Sequence, residues 1–485
     1  MSRSQTFRML FAGLSAAVCL SLGSCSDDDD SLTPFHRGSD SAIDDVTIEA
    51  NRFVSDAMSD YYYWVDEMPN LDYTKQPDTK DFFYDLLSSE DRFSYISSDA
   101  DAMLGNFEGR YTDFGWEYDL SLLSANADTV VAVITYVYDG TPAAKAGARR
   151  GDVVFAVNGT VMDIANYGTL FSSASSGEFS AMRVEDGKLT VVSYSVTAAD
   201  IVKNPVALAK VIPQPDGSKV GYLFYMSYSY TFNDDLIAAF KNFKEEGVTD
   251  VVLDLRYNTG GDLEALSCMV DILAPASAVM AKSEYLYYDF NKKLQALPEY
   301  SREATGLHFT SDPGVNLDLS RLVVLVGPDT YSASEATIWA LEPYLDVKLI
   351  GQMTGGKNSM MYVMSPADFT FAQTGKPYYS ASINNWLIMP IVAIYKNATG
   401  ETFDTSKGFG LSPDFVVEDL TGILSVGAKP IGDTEENLLA AALSYLANGT
   451  VTSNKSIRSA GVPVVFGSSA QSKPKALVDF RRRAK

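Results

Sequence analysis

A chain of 485 residues with 46% hydrophobic and 12% aromatic content can bury more than one core, which excludes a disordered protein and predicts two or three domains. A formal net charge of −24 argues against nucleic acid or an anionic membrane face as a partner, because phosphate recognition draws on clustered Lys and Arg. Two distant histidines, His36 and His308, and three cysteines offer no ligand set of zinc spacing, so neither a metal nor another cofactor is expected.

The chain opens with Arg3 and Arg8 ahead of an apolar stretch from Met9 to Leu22, followed by Gly23 and Ser24. Residues 1–24 therefore read as a signal peptide, and the stretch is too short to span a membrane comfortably. Leu22-Gly23-Ser24-Cys25 resembles the lipobox of bacterial lipoproteins, which implies lipid attachment at Cys25 and a place in the cell envelope of a Gram-negative bacterium as an outer-membrane lipoprotein. Residues 25–42 form an acidic linker. Its run Asp27 to Asp30 resembles a surface-export signal and is equally well read as a solvated tether. With Cys19 removed and Cys25 acylated, Cys268 stands alone in an apolar helical pattern as a core residue, and no disulfide framework forms within one chain.

Residues 43–101 read as a small helical unit, since Phe53, Ala57, Tyr61 and Trp64 recur at helical spacing and Phe82, Phe83, Leu86 and Leu87 suggest a second helix. Residues 102–204 change to short β-rich runs at Val130 to Val137, Val153 to Val157 and Leu189 to Val196, with Asp186-Gly187 as a hairpin turn. Within them, Gly140-Thr141-Pro142-Ala143-Ala144-Lys145-Ala146-Gly147, Gly151-Asp152-Val153-Val154 and Val157-Asn158-Gly159 resemble a PDZ domain of the bacterial protease type. That resemblance implies a sheet edge that accepts an extended peptide as one more strand, with Phe107-Glu108-Gly109-Arg110 and Phe114-Gly115-Trp116 as candidates for the loop facing a chain terminus. Residues 205–447 alternate strand and helix: Val251 to Leu255, Leu263 to Leu273, Leu322 to Val326, Ala333 to Leu341 and Val347 to Ile350. This order predicts βαβ units around a largely parallel sheet, with sites at the carboxyl ends of its strands. Residues 448–485 carry no interpretable motif, and their basic end, Arg481-Arg482-Arg483-Ala484-Lys485, reads as solvated.

Two chemical candidates fall at such strand ends. Ser332 follows a strand and opens a helix, and Lys357 closes Thr354-Gly355-Gly356-Lys357 one strand later. A serine hydroxyl needs a base, and in a chain so poor in histidine a lysine with a lowered pKa is the candidate. The first amides of the helix, with the Gly260-Gly261 turn, can bind the oxygen that becomes negative when serine attacks a carbonyl; one such donor contributes about 3–4 kcal/mol in the transition state. Gly351 to Lys357 nearly spells a phosphate-binding loop, but Asn358 stands where Ser or Thr is needed and a strand pattern follows. A triad through His308 is not excluded by spacing.

Asp254-Leu255-Arg256-Tyr257-Asn258-Thr259-Gly260-Gly261, Ser332-Ala333-Ser334-Glu335, Gly351-Gln352-Met353-Thr354-Gly355-Gly356-Lys357 and Gly410-Leu411-Ser412-Pro413-Asp414 resemble four landmarks of the S41 family, the C-terminal processing serine peptidases. With Asp91-Arg92-Phe93-Ser94 in the helical unit, the likeness runs from about Ile43 to Leu446. It implies a multidomain α/β protein with a small N-terminal helical unit, a PDZ-like β-rich domain and a ClpP/crotonase-like peptidase core. It also implies Ser332 as nucleophile, Lys357 as general base, main-chain oxyanion donors at Gly260, Gly261 and Ala333, and a peptide or protein substrate with an extended or C-terminal segment. The family spacing of 25 between serine and lysine is met. Many members carry glutamine four residues after the lysine, where this chain has Met361, and a thioether cannot orient an amine as an amide oxygen does. Asn358, Ser359 or a residue elsewhere takes over that role, or the scaffold binds peptides without cutting them.

Overall fold

The computed structural model of the protein describes residues 43–124, 127–371, 374–405, 410–420, 422–451, 465–469 and 477–478. The signal stretch, Cys25 and the acidic linker lie outside them.

The first helix, Asp45–Tyr61, starts where the Asp44 carboxylate accepts the Thr47 N–H, and the next, Thr79–Asp85, starts where Asp78 accepts from Lys80 and Asp81. Ala50, Phe53, Val54, Ala57 and Met58 form the buried stripe of the first helix. Its aromatic residues are core, as expected, but the core is not their own: Phe53, Phe82 and Phe83 share one apolar cluster with Leu223, Leu253, Leu266, Val324 and Ile338 of the α/β portion. The helical unit is thereby fastened to the α/β portion.

The β-rich portion is an antiparallel sheet in the order Val465–Ser468, Trp116–Leu122, Val130–Val137, Val153–Val157, Ser176–Glu185, Lys188–Thr197. Its core gathers Phe114, Trp116, Ile134, Val154 and Phe179. Asp186 (φ 49°) and Gly187 (φ 71°) turn the last hairpin as the Asp-Gly pair predicts. The two loop candidates part company. Phe114-Gly115-Trp116 does lead into strand Trp116–Leu122, second from the edge, whereas Phe107 ends the helix Ala100–Phe107 and Arg110 opens a strand, Arg110–Asp113, that pairs with Ala199–Val202. Phe107 to Arg110 therefore belongs to the connection into the β-rich portion and not to a peptide-facing loop.

The α/β portion has a sheet ordered Val206–Pro213, Lys219–Tyr225, Asp250–Asp254, Arg321–Val326, Asp346–Gly351, Phe415–Val416. Its first pair is antiparallel and the rest are parallel. Successive side chains alternate between two cores: Leu223, Leu253 and Val324 pack with helices Asn233–Glu245, Leu263–Leu273 and Ala333–Leu341, while Tyr222, Val252, Val323 and Leu325 pack with helix Asn437–Asn448. A sheet covered on both faces explains why these strands read as unbroken apolar runs. A second six-stranded sheet has no counterpart in the sequence pattern. Its order is Gly261–Asp262, Leu477–Val478, Ser359–Met361, Ile391–Asn397, Glu284–Phe290, Leu307–His308.

A buried polar cluster joins the β-rich and α/β portions. Arg256 reaches Asp254, Glu436 (2.7 and 3.0 Å) and Asp419 (3.0 Å). From the β-rich portion Arg150 donates to Asp419 (2.5 Å), the Tyr257 hydroxyl (2.7 Å) and the Thr135 carbonyl (2.8 Å). Three carboxylates without Arg256 are left buried and under-compensated, so Arg256→Ala is expected to lower unfolding free energy by about 3–5 kcal/mol in chemical denaturation. A loss under about 1 kcal/mol would show that the cluster is not holding the portions together.

Candidate active site

Three loops leave the carboxyl ends of adjacent parallel strands and converge: 255–261 after Asp250–Asp254, 327–332 after Arg321–Val326 and 352–357 after Asp346–Gly351. The second ends on Ser332, whose backbone sits at φ 58°, ψ −110°, a conformation unfavourable for a residue with a side chain. Helix Ala333–Leu341 begins at once, so the Ala333 amide lies ahead of the intrahelical ladder.

Ser332 and Lys357 are both fully buried, and the Lys357 Nζ stands 3.3 Å from the Ser332 Oγ. The amine also donates to the Ser359 carbonyl oxygen at 3.3 Å, and the Phe93 ring centroid lies 5.7 Å from it. Burial pulls the pKa of Lys357 down to about 7; the negative charges of Asp91 and Glu335 oppose that shift without cancelling it. Asp91 is held in place by accepting the Phe93 and Ser94 amides at 2.9 and 2.8 Å, and Arg92 donates to the Gly356 carbonyl at 2.6 Å.

The departure at Met361 thus has a local answer. Met361 points into an apolar cluster with Met103, Phe107, Leu387 and Met389, and the Asn358 amide group donates to Thr402 Oγ1 and the Phe403 carbonyl. A main-chain oxygen two residues after the lysine accepts an N–H of the amine instead.

Glu335, which sequence reasoning left without a role, binds the two chemical loops to each other. One carboxylate oxygen accepts the Ser332 and Lys357 amides at 2.9 and 2.8 Å; the other accepts the Gly356 amide at 2.8 Å and the Thr354 hydroxyl at 2.5 Å. Burial raises its pKa and these four donors lower it. The signal was present as Ser-x-x-Glu, the capping-box spacing. Gly410 explains the fourth landmark: a Cβ there would stand 2.2 Å from both Glu335 Oε1 and Thr354 Oγ1. Asp414 beside it accepts the Leu349 amide at 2.8 Å.

Of the three expected oxyanion donors, the Gly260 amide is already engaged by the Asn258 side chain at 2.9 Å. Gly261 and Ala333 are the remaining candidates; Gly261 (φ 144°) packs so tightly that a Cβ would stand 2.0 Å from the Tyr228 carbonyl. His308 lies on the edge strand of the second sheet with an exposed ring, its Nδ1 beside the Gly306 carbonyl, and makes no contact with Ser332. Lys357 is followed by strand Ser359–Met361, which removes the helix a phosphate-binding loop requires. Among the described residues no group of His, Cys, Asp or Glu is placed to hold a metal. Cys268 is a buried free thiol whose pKa burial raises to about 12.

The family model for Peptidase family S41 matches residues 219–392, that for the Peptidase S41 N-terminal domain residues 49–95 and that for the PDZ domain residues 133–179. The chain is 29% identical over 310 residues to a carboxyl-terminal-processing protease of Picosynechococcus, covering 61% of this chain and 69% of the relative. It is 25% identical over 344 residues to a carboxy-terminal-processing protease of Bartonella bacilliformis, covering 69% and 68%. A crystal structure described as an S41 protease from Bacteroides fragilis superposes with a TM-score of 0.64 at 28% identity, covering 82% of this chain and 97% of that one. From its helical front through its PDZ-like portion to its α/β core, the chain is thus matched in order by the models of the Peptidase S41 N-terminal domain, the PDZ domain and Peptidase family S41.

Proposed function

We propose that the protein is a serine endopeptidase using a Ser332–Lys357 dyad on peptides gathered by the PDZ-like portion. The observation that carries this reading is the 3.3 Å approach of an amine with a pKa near 7 to a buried serine hydroxyl. A neutral Lys357 takes the proton as Ser332 Oγ attacks the carbonyl carbon, and the Ser359 carbonyl keeps the amine aligned by accepting one of its N–H groups. The Ala333 and Gly261 amides receive the negative oxygen. Collapse breaks the C–N bond, the leaving amine takes the proton from Lys357, and the acyl group stays on Ser332. Water, deprotonated by the same amine, then releases the carboxylate and restores the hydroxyl. Relatives named for carboxyl-terminal processing support a substrate entering by its C-terminal end. The Leu22-Gly23-Ser24-Cys25 sequence supports lipid attachment at Cys25 and an outer-membrane location.

Three outcomes are expected. A serine-directed phosphonate labels the parent protein stoichiometrically and labels neither Ser332→Ala nor Lys357→Ala; tight peptide binding without any labelling of the parent would instead make this a peptide-holding scaffold. Because the amine has to be neutral, kcat/KM rises about tenfold per pH unit below about pH 7 and levels above it; a profile flat from about pH 6 to 10 removes Lys357 as the base. Glu335→Gln turns an acceptor into a donor facing backbone amides, so it costs about 1–3 kcal/mol of stability and lowers kcat more than it raises KM. Unchanged kcat in a folded Glu335→Gln protein would show that the carboxylate does not set the dyad geometry.

A further inference from the structure

Residues 465–469 and 477–478 occupy two edges at which a peptide substrate would bind. In the PDZ-like portion, Trp116–Leu122 would be the outer strand of its sheet, yet Val465–Ser468 pairs with it antiparallel, with Gly467 opposite Leu120 and Ser468 opposite Asp119. The Tyr118 amide donates to the Ser469 Oγ at 3.0 Å. This is strand addition, running toward the Phe114-Gly115-Trp116 loop as a captured terminus would. Farther along the chain, Leu477–Val478 lies parallel between the two lips of the cleft. On one side it pairs with Gly261–Asp262, next to an oxyanion candidate, and on the other Val478 pairs with Met361 of the strand that follows Lys357.

Three further observations agree. Ser332 and Lys357 have no exposed surface in this arrangement, so a substrate enters only if a neighbouring element moves, and the Leu477–Val478 strand lies between the two lips. Residues 452–485 hold eight Lys and Arg and one Asp, net +7, in a chain of net −24, so the charge of the sequence that carries the two strands is complementary to that of the rest. A tether also makes binding intramolecular, which keeps a weak ligand in place at an effective concentration no dilution changes.

We propose that residues 465–469 and 477–478 are tethered ligands, the first of the PDZ-like edge and the second of the catalytic cleft, so that the chain's own segments are the occupants that any external peptide must displace. The proposal rests on the reading of the cleft as a substrate site. It also names the recognised class: an extended segment that contributes main-chain pairing at two edges, with small residues such as Gly467, Ser468 and Ser469 at the first.

The test compares the full chain with a full-length variant in which positions 465–478 are scrambled at constant composition, both carrying Ser332→Ala so that nothing is cut. The probe is a fluorescent synthetic peptide of residues 461–480, read by anisotropy. The scrambled chain is expected to bind it at least tenfold more tightly than the native chain, and addition of unlabelled peptide to the scrambled, active-serine enzyme is expected to inhibit turnover of a reporter peptide competitively. Equal probe affinity for the two chains, or no binding to a scrambled chain whose thermal unfolding is unchanged, overturns the tethered ligand. Because anisotropy needs no catalysis, it can succeed where phosphonate labelling fails, which would sink the dyad alone. A Ser469→Ala chain, which keeps the segment and removes the Tyr118 contact, is expected to show an intermediate gain in probe affinity; no gain would confine the tether to the cleft and overturn the PDZ-edge half of the proposal.

Discussion

A single buried carboxylate sets the geometry on which the site depends. Glu335 accepts from the serine turn and from the lysine loop at once, and those loops leave different strands of the parallel sheet. It shares that task with the Gly355 amide, which donates to the Thr330 carbonyl at 2.9 Å, and with the Tyr395 hydroxyl, which reaches the Ser332 and Lys357 carbonyls at 3.4 and 3.1 Å; an error of an ångström between the Ser332 hydroxyl and the Lys357 amine is enough to weaken proton transfer severely. The arrangement is also electrostatically economical. Four donors from the backbone and a hydroxyl stabilise the Glu335 carboxylate, its charge favours the cationic form of the nearby amine, and burial outweighs that pull and lowers the pKa of Lys357. Gly410 is the complement of that carboxylate: any side chain there would enter the space of the Glu335 and Thr354 oxygens.

Much of this was legible in the chain. Ser332, Lys357 and the glycine turn at 260–261 are each local features with a physical signature: a serine at a strand-to-helix switch, a lysine after two glycines, a flexible pair after an apolar strand. Strand and helix alternation from Val206 onward followed from unbroken apolar runs, which a sheet covered on both faces produces. What the sequence did not disclose was long-range pairing. Gly261–Asp262 and Leu477–Val478 are strands of two residues, too short for any period to register, and their partners lie over a hundred residues away. The shared core of the helical unit was hidden for a similar reason, since Phe53 and Phe82 announce burial but not against what. The main-chain oxygen at Ser359 was invisible because every residue has one.

A polar cluster binds the β-rich portion to the α/β portion, and a strand pair closes its two chain connections on each other. Arg150 and Tyr257 tie it through charges on Asp419 and, by way of Arg256, to Asp254 and Glu436. The pairing of Arg110–Asp113 with Ala199–Val202 brackets it at its two chain connections. Tyr257 and Arg256 belong to the same stretch that ends in Gly260 and Gly261, so the polar cluster and the loop carrying an oxyanion candidate are one continuous piece of chain. Because such polar clusters are tight but tolerate few intermediate geometries, they favour discrete positions over gradual drift.

The backbone of Ser332 has a consequence outside chemistry. At φ 58° and ψ −110° it holds local strain of order 1–3 kcal/mol, which the surrounding hydrogen bonds maintain. Glycine at that position would relax the turn while deleting the hydroxyl that the Lys357 amine approaches, so thermodynamic robustness and the make-up of the candidate site pull in opposite directions at one residue.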